Sequence, residues 1–341
     1  MEHHPRALRA AARTLGFSAL LLIATDGPGC LAQKGKQMTS PLSESILRRL
    51  DAGDSFSSRE AMEFRRQPDA VARLFAAIQQ GEVQRRQAGV RLLIQTGKAV
   101  IPAEGSRPEV PGPIVDDPAV VKVLVEMLTD PDGDVRRQSC VTLAGLVPGD
   151  LIHPHAGAVL AALKRYPSTD GALILLGKTG TPDALRLLGE RPEIGQASPE
   201  DVRLVRARLG EGEAEAAEIR AYGAASDPRA RADAARRLGY IGTRQTATVL
   251  ARDIRTPLTY VWLVKSERSF RLHIIEGLHL AFMHERVFWR PYFKPSDDSY
   301  YEKIEKWLTD HLGVTWDHPR PPFLYEEDSP TPAPPQGPPA P

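Results

Sequence analysis

The sequence predicts an all-α fold, a right-handed α-solenoid of stacked helix pairs with an aromatic C-terminal cap. Three observations predict it. Proline recurs at the openings of apolar-periodic segments, apolar residues fall three and four apart within them, and the chain resembles itself at a period of about 31 residues. A length of 341 residues suits either two compact domains or one long array. With 44 Lys+Arg, 43 Asp+Glu and 42% hydrophobic residues, the chain is neither wholly disordered nor built of membrane spans. The net charge of +1 supplies no basic surface for nucleic acid. Two cysteines exclude a disulfide scaffold and a multi-cysteine metal site.

Residues 1–32 read as an export signal. Arg6, Arg9 and Arg13 precede an apolar run from Leu15 to Ala24, a charged segment followed by a core too short to span a bilayer. A buried N-terminal helix is the plainer alternative. Cleavage after Ala32 places small residues at both pocket positions. The competing reading makes Cys30 a lipidated N-terminus after Gly29, although Gly27-Pro28-Gly29 lacks the usual upstream aliphatic residue. Removal of 1–32 leaves 41 basic and 41 acidic residues and only Cys140, so no intramolecular disulfide is expected. The expected location is the periplasm or cell envelope, with membrane contact only through a lipid anchor.

Next come a linker and N-terminal capping helices, 33–66, with Ser57 and Glu60 at capping-box spacing. A polar residue followed by proline opens one helix after another: Ser40-Pro41, Asp117-Pro118, Thr181-Pro182, Ser198-Pro199 and Asp227-Pro228. Proline suits the first helical position because its missing N–H would find no partner there. Val120, Leu124, Met127 and Leu128 form one apolar stripe; Val135, Ser139, Leu143 and Leu146 form the next. Only Thr259 to Val264 tempts a strand assignment, and it is too isolated to build a sheet. The segment Arg85 to Leu92 matches Arg136 to Leu143, and more weakly Arg231 to Leu238. Leu176-Gly177 aligns with Leu238-Gly239 two periods later. One hairpin of about 31 residues cannot bury its own apolar face, so neighbours must stack.

Asp130-Pro131-Asp132, Val135-Arg136 and Leu143-Ala144-Gly145-Leu146 carry a family resemblance, and Asp227-Pro228, Arg231 and Leu238-Gly239-Tyr240-Ile241-Gly242 carry it again. The chain resembles HEAT-repeat proteins, specifically the short bacterial repeats of the phycobilisome-lyase type. The resemblance implies structural, inter-repeat hydrogen-bonding roles for Asp130, Arg136, Asp227 and Arg231, with Val135 and Arg85 at equivalent repeat positions. It implies no catalytic residue. The expected helix pairs are roughly 68–97, 118–147, 155–180, 182–210, 213–242 and 244–285, within a solenoid spanning 67–285. Lys98 to Asp116, with four prolines, reads as a structureless insertion, either functional or a plain surface loop.

Of 21 aromatic residues, 14 fall between Tyr260 and Tyr325. Residues 286–325 therefore read as an aromatic cap sealing the solenoid. The sharper reading is an interface anchored by Trp289, Arg290, Tyr292 and Phe293. Residues 326–341 read as a disordered or polyproline II tail.

Chemical motifs mostly fail. Gly177-Lys178-Thr179 resembles the end of a phosphate-binding loop, but Ala172 stands where the earlier glycine belongs. His284-Glu285 lacks the second histidine of a zinc-protease motif. His273, Glu276 and His284 share a face only at helical spacing, and His153-Pro154-His155 has no acidic ligand beside it. Cys140 occupies a packing position. The expectation is a monomeric, exported scaffold that binds a protein or peptide without catalysis of its own and without metal or cofactor. The alternative is a lyase-like or metal-dependent enzyme, or a small-ligand binder, using the C-terminal helices. A nucleic-acid binder is the least favoured.

Overall fold

The computed structural model describes residues 41–67, 69–101, 110–167, 169–194, 197–256, 259–261, 267–289 and 298–320. Helices α1 (Pro41–Asp51) and α2 (Ser58–Arg65) come first, and the Ser57–Glu60 capping box is formed at the start of α2. The chain continues through α3 (Ala70–Gln79), α4 (Val83–Thr96), strands β1 (Lys98–Ile101) and β2 (Val110–Val115), then α5 (Pro118–Met127) and α6 (Gly133–Leu146). A short α7 (Gly149–Ile152) leads to α8 (Ala156–Arg165) and α9 (Ala172–Lys178), then α10 (Pro182–Glu190) and α11 (Pro199–Arg208). After α12 (Gly212–Ala224), α13 (Pro228–Ile241) and α14 (Arg244–Arg252) come strands β3 (Thr259–Val261) and β4 (Glu267–Ser269), then α15 (Arg271–Ala281) and α16 (Asp298–Leu312).

The fold is an all-α solenoid. Helices pair as α3/α4, α5/α6, α8/α9, α10/α11, α12/α13 and α14/α15. The second helices then stack in sequence, α4 on α6, α6 on α9, α9 on α11, α11 on α13 and α13 on α15. Proline stands at the first helical position of α1, α5, α10, α11 and α13. Where a polar cap precedes it, as at Asp117 and Asp227, the carboxylate accepts the free backbone N–H groups of the first turn.

The closest stacking is bought with glycine. A Cβ on Gly239 of α13 would run into the backbone of Gly277 on α15, and one on Gly277 would come 2.7 Å from the Ala235 carbonyl. The two helices therefore cross backbone to backbone. At the aligned position two repeats earlier, a Cβ on Gly177 of α9 would strike the Tyr240 hydroxyl of α13. The Leu-Gly pair that repeats in the sequence is thus a small-residue notch that admits a later helix of the row.

Apolar side chains form two main cores. One runs from Ile46 to Val205 and the other from Leu204 to Val314, so they meet on α11; Ile174 packs against both.

Two expectations are corrected. Part of the proline-rich insertion is ordered: β1 and β2 pair antiparallel, with Lys98 opposite Val115 and Ile101 opposite Val110. Pro111, opposite Val100, sits in a two-stranded sheet where a strand edge tolerates its missing donor. The strand at Thr259 does find a partner, since Thr259–Val261 pairs with Glu267–Ser269. Glu-Arg-Ser carries no β-propensity, so local sequence could not announce that partner.

Candidate functional site

A cavity of about 340 Å³ opens on the row of second helices. Its wall takes residues from α6, α9, α11, α13 and α15. Neighbouring helix axes lie about 8–10 Å apart, so five successive helices can line one small cavity only if the row curls around it. The cavity therefore marks the concave side of the stack.

Most of the wall is apolar. Val141 and Ala144 of α6, Ile174 of α9 and Leu204 of α11 face it. Val141 is 45% exposed, one of two large hydrophobic residues so exposed among the described residues. Gly145 also lines the wall, and a Cβ there would meet nothing within 4 Å.

The charged lining is all cationic, and among the described residues no carboxylate lines the cavity. Arg236 and Arg237 are neutralised from outside it. Arg236 pairs with Asp233 at 3.1 Å and Glu276 at 3.4 Å, and Arg237 with Glu218 at 2.8 Å. Glu218 is buried, and Arg203 grips it as well at 2.7 Å. Burial pushes its carboxyl upward, but hydrogen bonds from Arg237 and Arg203 outweigh that and hold it below the usual range.

Lys178 and Arg208 have only neutral partners among the described residues. Lys178, at the end of α9, is 5% exposed and donates to the Val147 carbonyl at 2.7 Å and the Leu143 carbonyl at 3.5 Å. It thus caps the C-terminal carbonyls of α6, which carry partial negative charge. Burial, aided by nearby Arg208, pulls the Lys178 amine down to about 7. Arg208 donates to the Tyr240 carbonyl and lies over the Tyr240 ring, 4.8 Å from its centroid. Tyr240 in turn donates to the Ile174 carbonyl at 3.1 Å.

A strap of chain crosses beside the site. After α15, Met283 places its sulfur 3.8 Å from Lys178 Nζ, and His284 Nε2 lies 2.9 Å from Asp150 Oδ1. Trp289 Nε1 donates to the Met283 carbonyl at 2.9 Å. The Trp289 ring packs with Ala99 and Ile114 of the β1–β2 hairpin, and a Cβ on Gly112 would come 3.0 Å from it.

No family model matches the chain, and no curated protein matches it. Among solved structures, it is similar to the complex of CpcE and CpcF of phycocyanin lyase from Nostoc sp. PCC7120. That likeness covers 86% of this chain and 99% of the other, at a TM-score of 0.38 and 20% identity.

The expectation of a scaffold without catalysis of its own is corrected here, and with it the reading of the chain as a non-enzyme. The solved structure it matches is that of a lyase complex, and the concave face holds a formed cavity. The small-ligand alternative is better supported, although the cavity lies mainly on α6 to α13, with only Leu280 from the C-terminal helices.

The repeat residues are placed as follows. Asp130, 7% exposed, accepts from the Asp132 N–H at 2.8 Å and pairs with Arg86 of the preceding helix pair at 3.2 Å. Arg136 donates to the Asp130 and Pro131 carbonyls of its own hairpin at 2.6 and 2.9 Å and lies 4.1 Å over the Tyr166 ring. Asp227 caps its own helix, accepting from Ala230 N–H at 2.8 Å, so it is no inter-repeat link. Arg231 reaches Asp253 in the following pair at 2.5 Å, Arg85 reaches Asp51 of α1, and Val135 is fully buried. Of the proposed interface, Trp289 is only 8% exposed because the hairpin covers it, so it offers no free anchor. Arg290, Tyr292, Phe293 and Cys30 lie outside the described residues.

The three side chains of the metal alternative are not brought together. His273 Nδ1 lies 2.9 Å from Glu276 Oε2, but His284 belongs to the strap beside Asp150. Among the described residues, no group of three or more His, Cys, Asp or Glu side chains gathers to hold a metal. Cys140 is buried, and its thiol is pushed up to about 12 by burial, with Asp170 adding to the effect. Such a thiol is inert.

Sequence reasoning missed the cavity. Its one available signal was Lys178, a charge ending the otherwise apolar Ala172–Gly177 run. That residue drew notice only as part of a failed phosphate-loop motif.

Proposed function

We propose that this chain binds a small, largely apolar ligand in the concave cavity. One observation carries the reading: a formed cavity of about 340 Å³ walled by Val141, Ala144, Ile174 and Leu204. That size falls within the range of small-molecule sites, which are mostly apolar with a few placed polar groups.

Gly145 provides the test, because its Cβ direction is open. In Gly145→Phe the new ring occupies the cavity without displacing backbone. The neutral dye N-phenyl-1-naphthylamine should bind the native chain at one equivalent with enhanced fluorescence. The variant should bind at least tenfold more weakly with an unchanged or higher melting temperature. Equal dye binding by both proteins would refute the reading.

A second reading, proton exchange between Lys178 and the bound ligand, is favoured by one observation. The amine lines the cavity, and its lowered pKa gives it an accessible neutral form near pH 7.

Export belongs to the same proposal and rests on the order of Arg6, Arg9 and Arg13 before Leu15–Ala24. N-terminal sequencing of chain from an envelope fraction should read from Gln33, or from a blocked Cys30 if that residue is lipidated. Sequence starting at Met1 would oppose export.

A further inference from the structure

The cavity is polarised along α9. At the N-terminal end of that helix, a Cβ on Gly171 would lie 3.3 Å from the Ala144 side chain and 3.3 Å from the Val141 backbone. This end is apolar. At the other end stand Lys178 and Arg208. A Cβ on Gly177 would lie 3.4 Å from Arg208 Cδ, and one on Gly149 would lie 2.9 Å from an Arg208 terminal nitrogen. At 1.5 Å per residue, the two ends are separated by about 10 Å along the helix.

The charges at the cationic end are not equivalent. Lys178 is engaged by the α6 carbonyls and Met283. Arg208 makes one hydrogen bond, to the Tyr240 carbonyl, and its other N–H groups meet no acceptor among the described residues. A guanidinium has five donors in a planar fork that matches a carboxylate. Among the described residues no Asp or Glu lines the cavity, while Arg236 and Arg237 are already paired with carboxylates. A positively charged ligand would meet uncompensated like charge. A polyphosphate would find one open guanidinium and apolar walls, too few donors for several charges. A single anion on an apolar body matches both ends.

Resting on the reading of the cavity as a ligand site, we infer that its ligand is an amphipathic monoanion. Its carboxylate is held by Arg208, and its apolar body lies along α9 toward Val141 and Ala144.

The test displaces N-phenyl-1-naphthylamine from the full chain with two matched pairs, decanoate against decanol and 2-naphthoate against 2-naphthalenemethanol. In at least one pair the acid should compete at least tenfold more strongly than the alcohol. Arg208→Gln, which keeps a donor for the Tyr240 carbonyl, should reduce that preference to within about twofold while leaving alcohol competition unchanged. Acid and alcohol competing equally in both pairs would overturn the monoanion assignment and leave the cavity reading standing. An acid preference that survives in Arg208→Gln would overturn the role of Arg208. A native chain that binds neither the dye nor any of the four compounds would overturn the cavity reading itself.

Discussion

At the scale of single residues, the molecule places charge where its environment penalises it. Lys178 is the sharpest case. Between pH 7 and 10.5 the unfolded chain keeps a proton on this amine that the folded chain has lost. Unfolding then takes up a proton, so this group makes stability rise with pH across that window. Lys178→Met should abolish the contribution. Urea unfolding of both proteins at pH 7, 8 and 9 should show the native chain gaining on the variant by up to about 1.4 kcal/mol per pH unit. Parallel pH dependences would mean that the folded chain keeps Lys178 protonated throughout. Glu218 has the same sign in a lower pH window. Its depressed carboxyl contributes stability above the ordinary glutamate range, and that contribution fades as pH falls through its folded value. Neither group was legible as a site in the sequence. Glu218 reads as one acid among several in a run of Glu and Ala, and only the fold sets it between Arg203 of α11 and Arg237 of α13.

At the scale of elements, the helices were legible and the hairpins were not. Proline at the first helical position and capping residues act within a single turn, so the sequence shows them directly. Helix pairing follows from the apolar stripes and the recurring Leu-Gly notch. Strand pairing between β1 and β2 spans a proline-rich segment, and its hydrophobic partners, Met283 and Trp289, arrive from far along the chain. The cavity was hidden for the same reason. Its wall takes one or a few residues from each of five helices, and each of those reads as ordinary core or surface. The hairpin also decides what Trp289 does. Trp289→Ala should remove up to about 3–5 kcal/mol of local stability, the usual cost of emptying a buried tryptophan site. Hydrogen exchange should show β1–β2 amides losing protection while those of α8 to α11 keep theirs. Unchanged protection in the hairpin would mean that the ring does not hold it.

At the scale of the whole molecule, two cores meet on α11, at Leu204 and Val205. Solenoids hold together through nearest-neighbour contacts, so such a seam permits the halves to unfold separately. Trp307 and Trp316 pack against the second core and report it by fluorescence, whereas far-UV circular dichroism reports every helix. In urea, the two signals should give transitions with different midpoints. Coincident curves would establish one cooperative unit despite the seam. The cavity straddles that seam, with Ala144 in the first core and Leu204 and Tyr240 in the second. A bound ligand should therefore draw the two midpoints together.

The contact between the β1–β2 hairpin and Trp289 has a consequence for descent as well as for stability. Open arrays of helix pairs can lengthen or shorten by duplicating or losing a unit, because each unit touches only its neighbours. Here a hairpin inserted after the α3/α4 pair touches a residue beyond the α14/α15 pair. Adding or removing one pair between them would shift the two partners by about one helix spacing, roughly 8–10 Å. The ring would then miss Gly112 altogether. This contact counts the repeats, and a lineage that keeps it has its repeat number fixed.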